Sequence, residues 1–267
     1  MKTKIIVFAD IDGTILDEKY NYGKTKPTID KLLALDASIV LASSKTRAEV
    51  EFYRKHLGIN DPFIVEDGSA IFIPRSYFRT AIEYTKQSDQ YYVIELGMRY
   101  LKIREKLAKI RREIGANIIG FGDMTTQELA QDAGLPFELA RLAKAREYDE
   151  PFRIIEGSEE VVTAAIENEG LCYTKGGRYF HLLGKTDKGK ATKILKQLYQ
   201  REFEKILTLG IGDSPNDLPM FVSVDKPYII TDEESASSCW QEILEVAEIA
   251  KFPRSNRGVN PKTQLEA

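Results

Sequence analysis

"FADIDGTILDE", residues 8–18, places two aspartates, Asp10 and Asp12, around one isoleucine, with Gly13 and Thr14 directly behind. Carboxylates at this spacing can hold a calcium ion or attack a phosphorus atom. An EF-hand loop counted from Asp10 needs glycine at its sixth place and glutamate at its twelfth, and these places hold Ile15 and Asn21. It also needs a helix in front. Here "KTKIIVF" (2–8) precedes, an apolar, β-branched run of strand character. The calcium reading fails, and a strand ending in an acidic turn remains.

Outward from that strand the elements alternate. "KPTIDKLLAL" (26–35) reads as a helix with proline in its first turn. "ASIVLAS" (37–43) is a second strand, and "KTRAEVEFYRKHLGI" (45–59) a helix closed by Gly58. "PFIVEDGSAIFIP" (62–74) reads as two short strands about Asp67-Gly68. Late in the chain "RYFHLLG" (178–184) is strand-like, "KGKATKILKQLYQREF" (188–203) a helix and "KILTLGIGD" (205–213) a strand. "SPNDLPMF" (214–221) is a short helix and "KPYIITD" (226–232) another strand. Such alternation predicts an α/β fold with a Rossmann-like parallel sheet, whose ligands bind at the carboxyl ends of the strands.

The middle has its own pattern. "QYYVIEL" (90–96) is strand-like, and 99–114 is an amphipathic helix with Ile103, Leu107, Ile110 and Ile114 on one face. Helical stretches near 125–132 and 136–146, "FRIIEG" (152–157), a helix near 158–169 and "LCYTKGG" (171–177) complete an inserted α+β domain. The expected division is a core of 1–81 and 179–267 around a cap of 82–178. The basic face of 99–112 reads as a solvated helix face, and the tail "KFPRSNRGVNPKTQLEA" (251–267) as frayed.

Composition narrows the class. The chain has 267 residues, 43% of them hydrophobic, enough for a core of this size. A net charge of −3 argues against a nucleic-acid footprint, and no apolar stretch approaches the ~20 residues of a membrane span. No leader is expected ahead of the first strand. Cys172 and Cys239 have neither CxxC spacing nor a nearby histidine, which fits a reducing cytoplasm and no zinc.

Four pieces fall at predicted carboxyl ends of strands and so converge on one crevice. They are Asp10 with Asp12; Ser43 and Ser44 in "VLASSKT" (40–46); Lys188 in "KTDKGKAT" (185–192); and Asp213 with Asp217 in "LGIGDSPND" (209–217). Singly each has a plainer reading, as a turn residue, an N-cap or a solvated lysine. Together they form a kit for phosphoryl transfer. A carboxylate approaching a phosphate meets repulsion that an ammonium and a divalent cation must offset, and oxygen-only ligands suit Mg²⁺.

"DIDGT", Ser43, Lys188 and "GDSPND" resemble, in order, the four motifs of haloacid dehalogenase (HAD)-type phosphatases, and the spacing resembles the subclass with a C2 (IIB) cap. The resemblance implies that Asp10 attacks phosphorus and that Asp12 protonates the leaving alkoxide and then activates water. It implies Mg²⁺ on the Asp10 side chain, the Asp12 carbonyl and Asp213, with Asp217 in or just outside that shell. Ser43 and Lys188 would bind the phosphoryl group; Lys190 competes for the lysine role, but the family pattern Lys-Gly-x-Ala favours Lys188.

Longer stretches resemble the mannosyl-3-phosphoglycerate phosphatase family: "SSKTRAEVEFYRK" (43–55), "PFIVEDGSAIFIP", "RLAKAREYDEPF" (141–152), "GGRYFHLLGKTDKGKA" (176–191) and "GDSPNDLPMF". The implied reaction releases phosphate and mannosylglycerate, a compatible solute; glucosyl-3-phosphoglycerate is the alternative substrate. Candidate substrate contacts are Ser44, Lys45, Thr46, Asp67, Arg146, Tyr148, Arg178, His181 and Asn216. Asp67 stands where the family pattern has asparagine. A phospho-receiver module uses similar groups, but its acid pair is adjacent and it carries no cap.

Overall fold

The computed structural model describes residues 3–17 and 19–251; the expected fraying of the tail falls on residues from 252 onward, outside them. In chain order the first part comprises β1 (Lys4–Ala9), α1 (Lys26–Ala34), β2 (Ser38–Ala42), α2 (Arg47–Leu57), β3 (Phe63–Val65), β4 (Ala70–Pro74), β5 (Lys86–Gln87) and β6 (Tyr91–Glu95). Then come α3 (Tyr100–Ile114), β7 (Asn117–Gly120), α4 (Thr126–Ala133), α5 (Phe137–Ala143), β8 (Glu150–Glu156), α6 (Glu159–Asn168), β9 (Cys172–Lys175) and β10 (Phe180–Leu183). The chain closes with α7 (Lys188–Glu202), β11 (Ile206–Gly212), α8 (Leu218–Phe221), β12 (Lys226–Ile229) and α9 (Glu233–Lys251).

Two sheets result among the described residues. The larger runs β12-β11-β1-β2-β3-β4-β6-β5 and is parallel from β12 to β3, then antiparallel. β1 is central because every second residue serves one face. Ile5, Val7 and Ala9 join the cluster with Ile29 and Leu32 of α1, Val50 and Leu57 of α2 and Trp240 and Ile243 of α9. Ile6 and Phe8 join the opposite cluster with Leu195 and Leu198 of α7 and Met220 and Phe221 of α8. A strand buried on both faces is apolar without alternation, as "KIIVFA" is. This is the expected α/β class.

The smaller sheet, β7-β8-β10-β9, is antiparallel, and α3 and α6 pack on it through Ile103, Leu107, Ile110, Val162 and Ile166. Its strands correct the expected boundaries. β5 and β6 belong to the large sheet, so the first crossing into the cap lies after Glu95 rather than at 82. "RYFHLLG" supplies β10 of the cap, so the return lies after Leu183 rather than at 178. A strand's period does not say which sheet it joins; pairing partners decide that. Consequently Lys188 follows no strand of the large sheet and enters as the first residue of α7. β7 and α9 are further elements beyond those read from sequence.

The basic face of α3 is engaged. Arg104 pairs with Glu150 and Asp123, Arg111 with Asp123, and Lys106 and Lys109 with Glu169.

Candidate active site

Asp10 is the residue after β1, and its amide donates to the Ile211 carbonyl at 2.9 Å. Ser43 follows β2 and Asp213 follows β11, so three neighbouring strands deliver them to one crevice. Lys188 arrives from α7, whose N-cap Asp187 accepts the Lys190 amide. Its ammonium, wholly buried, donates to Asp10 Oδ1 and to Asp217 Oδ1, both at 2.7 Å. Lys190, by contrast, reaches the Lys185 carbonyl at an exposed site. Of the two lysines, Lys188 is the one whose ammonium reaches the acidic cluster.

Carboxylate oxygens of Asp10, Asp213 and Asp217 lie within 4.8 Å of one another. Burial pushes Asp10 well above the ordinary carboxylate range; Lys188 opposes the shift, and Asp217 adds to it. Burial and Asp217 raise Asp213 as well. Burial would lower Lys188, but Asp10 and Asp217 outweigh it and hold the ammonium above its usual range. Three acids against one ammonium leave an excess of negative charge, and the donors are all oxygens. That set fits a divalent cation. Asp217 accepts the Asp213 and Ser214 amides on Oδ2, at 3.2 and 3.1 Å, so both its oxygens are already engaged.

The turn that brings Asp213 close demands Gly13. Its φ is +68°, and a Cβ there would lie 2.2 Å from Asp213 Oδ2. Asp12, half-exposed, pairs with Lys45 Nζ at 2.9 Å through Oδ2, while its buried Oδ1 has no partner among the described residues. Burial would lower Lys45; Asp12 and Glu49 instead hold it above its usual range.

A cleft of about 540 Å³ opens beside Asp12 between the two sheets' domains. Of the candidate contacts, Ser44, Lys45, Arg146, Arg178 and His181 line it; Tyr20, Glu49 and Tyr179, outside that set, line it too. Asp10 and Lys188 are not part of this lining.

Other expected contacts are turned to structural use. Thr46 N-caps α2 in a capping box with Glu49, and its buried hydroxyl has no reach into the cleft. Tyr148 is buried, and its hydroxyl donates to Glu95 Oε1 at 2.9 Å, away from the cleft. Asp67, at φ +54°, accepts from Asn216 Nδ2 and the Thr174 hydroxyl, each at 2.9 Å. It thus ties the Asp213 loop to the cap, and both residues serve as a junction.

The cap is docked through Glu66, which no sequence signal singled out. Its carboxylate accepts the amides of Glu147, Tyr148 and Asp149 at 2.9, 2.8 and 2.8 Å. Arg146 donates to Asp149 Oδ1 at 2.7 Å and to the Ser44 carbonyl at 2.8 Å. His181 Nδ1 lies 2.8 Å from Asp149 Oδ2.

Comparison with known proteins places this geometry. The haloacid dehalogenase-like hydrolase family matches residues 7–124. The chain is 43% identical over 230 residues to the glucosyl-3-phosphoglycerate/mannosyl-3-phosphoglycerate phosphatase of Methanococcoides burtonii, covering 85% of each. It is 40% identical over 247 residues to the mannosyl-3-phosphoglycerate phosphatase of Pyrococcus horikoshii, covering 92% of this chain and 99% of that one. A crystal structure from Thermoplasma acidophilum shares the fold, with TM-score 0.64 at 20% identity over 92% of this chain and 99% of that one.

Proposed function

Because this chain belongs to the glucosyl-3-phosphoglycerate/mannosyl-3-phosphoglycerate phosphatase family of HAD-like hydrolases, we propose that it hydrolyses mannosyl-3-phosphoglycerate to mannosylglycerate and phosphate. The observation that carries the chemistry is the buried Asp10–Lys188–Asp217 array beside Asp213. It concentrates a buried nucleophile, a buried cation and a further buried acid beside the exposed Asp213.

In this reading Asp10 Oδ attacks phosphorus, and the bond to the ester oxygen breaks. Asp12 gives its proton to the departing alkoxide, then takes one from the water that hydrolyses the aspartyl phosphate. Lys45, paired with Asp12 Oδ2, orients that carboxyl. Lys188 holds Asp10 in place and faces the charge that develops on the phosphoryl oxygens. Ser43, buried at the end of β2, donates to the same group. Asp10, Asp213 and the Asp12 carbonyl would hold Mg²⁺, with Asp217 anchoring the Asp213 loop from outside. Bound there, Mg²⁺ would screen the repulsion between carboxylate and phosphate. Arg178 offers a cation to the glycerate carboxylate. Two free cysteines agree with a reducing cytoplasm.

A second reading, that glucosyl-3-phosphoglycerate is also accepted, is favoured by the double name of the Methanococcoides relative. Steady-state kinetics on both esters with Mg²⁺ separate the two. The proposal expects kcat/KM on the mannosyl ester far above that on 3-phosphoglycerate and p-nitrophenyl phosphate; a preference for either simple phosphate would overturn it.

A further inference from the structure

Tyr20 lines the cleft beside Asp12 and Lys45. Its φ is +59°, a left-handed conformation rare for bulky side chains. The conformation is imposed by a small turn built on Asp17. Asp17 Oδ1 accepts the amides of Lys19 and Asn21, both at 2.9 Å, and the Asp17 carbonyl accepts the Tyr20 amide at 2.9 Å. Glycine or asparagine would sit in such a turn with less strain. An aromatic residue kept there calls for a reason outside the turn.

Packing against the buried cluster that holds Ile29, Leu32 and Tyr53 accounts for the ring but not for its hydroxyl. Lys45 Nζ lies 5.6 Å from the Tyr20 ring centroid, but Lys45 is already paired with Asp12 and Glu49 and covered by Tyr53 at 5.8 Å. The Tyr20 hydroxyl has no hydrogen-bond partner among the described residues. A phenol is thus held at the cleft with its polar end unspent.

We propose that Tyr20 is a specificity-determining residue whose hydroxyl bonds a hydroxyl of the hexosyl part of the substrate. The inference rests on the reading given under Proposed function. If Asp12 protonates the ester oxygen, the leaving group lies on Asp12's cleft side, where Tyr20 stands. That group offers two kinds of handle. Its carboxylate matches the Arg178 guanidinium, and its uncharged hydroxyls match an uncharged phenol that both donates and accepts.

Tyr20→Phe keeps the ring and the turn and removes only the hydroxyl. With Mg²⁺ present, KM for mannosyl-3-phosphoglycerate should rise about 3–10-fold, with kcat and thermal midpoint little changed. KM for p-nitrophenyl phosphate, which carries no hexose, should move by less than about 2-fold. Tyr20→Asn, suited to a left-handed turn, should show the same split more strongly while remaining folded. Equal effects on the two esters, or none, in a wild-type enzyme that turns over the mannosyl ester would overturn the role of Tyr20 alone. A wild-type enzyme active on p-nitrophenyl phosphate but inert on both glycosyl esters would overturn the substrate reading and this inference with it.

Discussion

Lys188 Nζ lies 2.7 Å from Asp10 Oδ1, although the two residues stand 178 positions apart. The same nitrogen reaches Asp217 Oδ1. One buried ammonium therefore holds together the end of β1 and the loop after β11.

Removing that ammonium should damage both folding and turnover. In Lys188→Met, Asp10 and Asp217 face each other without a counter-charge. Breaking a buried pair in this way costs about 3–5 kcal/mol, and loss of a group facing developing charge lowers kcat by about 10²-fold or more. Urea unfolding at pH 7 with and without Mg²⁺, alongside kinetics, measures the two losses. Added Mg²⁺ should restore part of the stability and little of the rate. A variant as stable and as active as the parent would remove Lys188 from the account.

Asp12→Ala tests proton donation to the leaving group. The effect should grow with the basicity of the leaving alkoxide. Turnover of an alkyl phosphate should fall by about 10²–10⁴-fold, and that of p-nitrophenyl phosphate by much less, since its phenolate leaves without a proton. Plotting log kcat/KM against leaving-group pKa checks this directly. Parallel lines for variant and parent would contradict the role.

Gly13→Ala probes the approach of the two acidic loops. The added methyl meets Asp213 Oδ2 at 2.2 Å on a backbone with φ +68°. Strain of about 1–2 kcal/mol should appear in unfolding, and Mg²⁺ should bind more weakly in calorimetry. Unchanged Mg²⁺ affinity would mean that Asp213 does not help hold the cation.

The docked cap should carry a pH signature at Asp149. Arg146, beside it, and His181 outweigh the effect of burial and lower this carboxyl to about 2. A depressed carboxyl stabilises the fold above its ordinary titration range, and the contribution is lost as pH falls through about 2. Asp149→Asn should therefore lower stability at pH 7, and the gap to the parent should shrink as pH falls towards the depressed titration of this carboxyl. A gap that stays constant from pH 7 to pH 3 would show that the Asp149 charge does not fasten the cap.

Much of the acidic centre is legible in the sequence, because its residues sit where strands break into turns. Asp10, Ser43 and Asp213 each follow an apolar run that identifies its own end. Lys188 is legible through its Lys-Gly-x-Ala context, although the strand that precedes it belongs to the cap. β10 looked like a core strand because local periodicity is the same in either sheet. β7 is only four residues long, too short for its period to stand out in the sequence. α9 does carry a helical signal, with Trp240, Ile243, Leu244 and Ala247 on its buried side. Tyr148 misled because a tyrosine's polar end can serve a substrate or a neighbouring carboxylate, and only the packing against Glu95 tells which. Glu66 and Tyr20 were hidden for another reason: their roles depend on left-handed backbones, φ +46° and +59°, which their residue types do not announce.

The most direct test of the central claim is the fate of the phosphoryl group. Enzyme mixed with Mg²⁺ and ³²P-labelled mannosyl-3-phosphoglycerate, quenched in acid within milliseconds and mapped by peptide, should carry an acyl phosphate on Asp10. Asp10→Asn should carry none and release no phosphate. Label on any other residue, or full phosphate release by Asp10→Asn, would contradict the account.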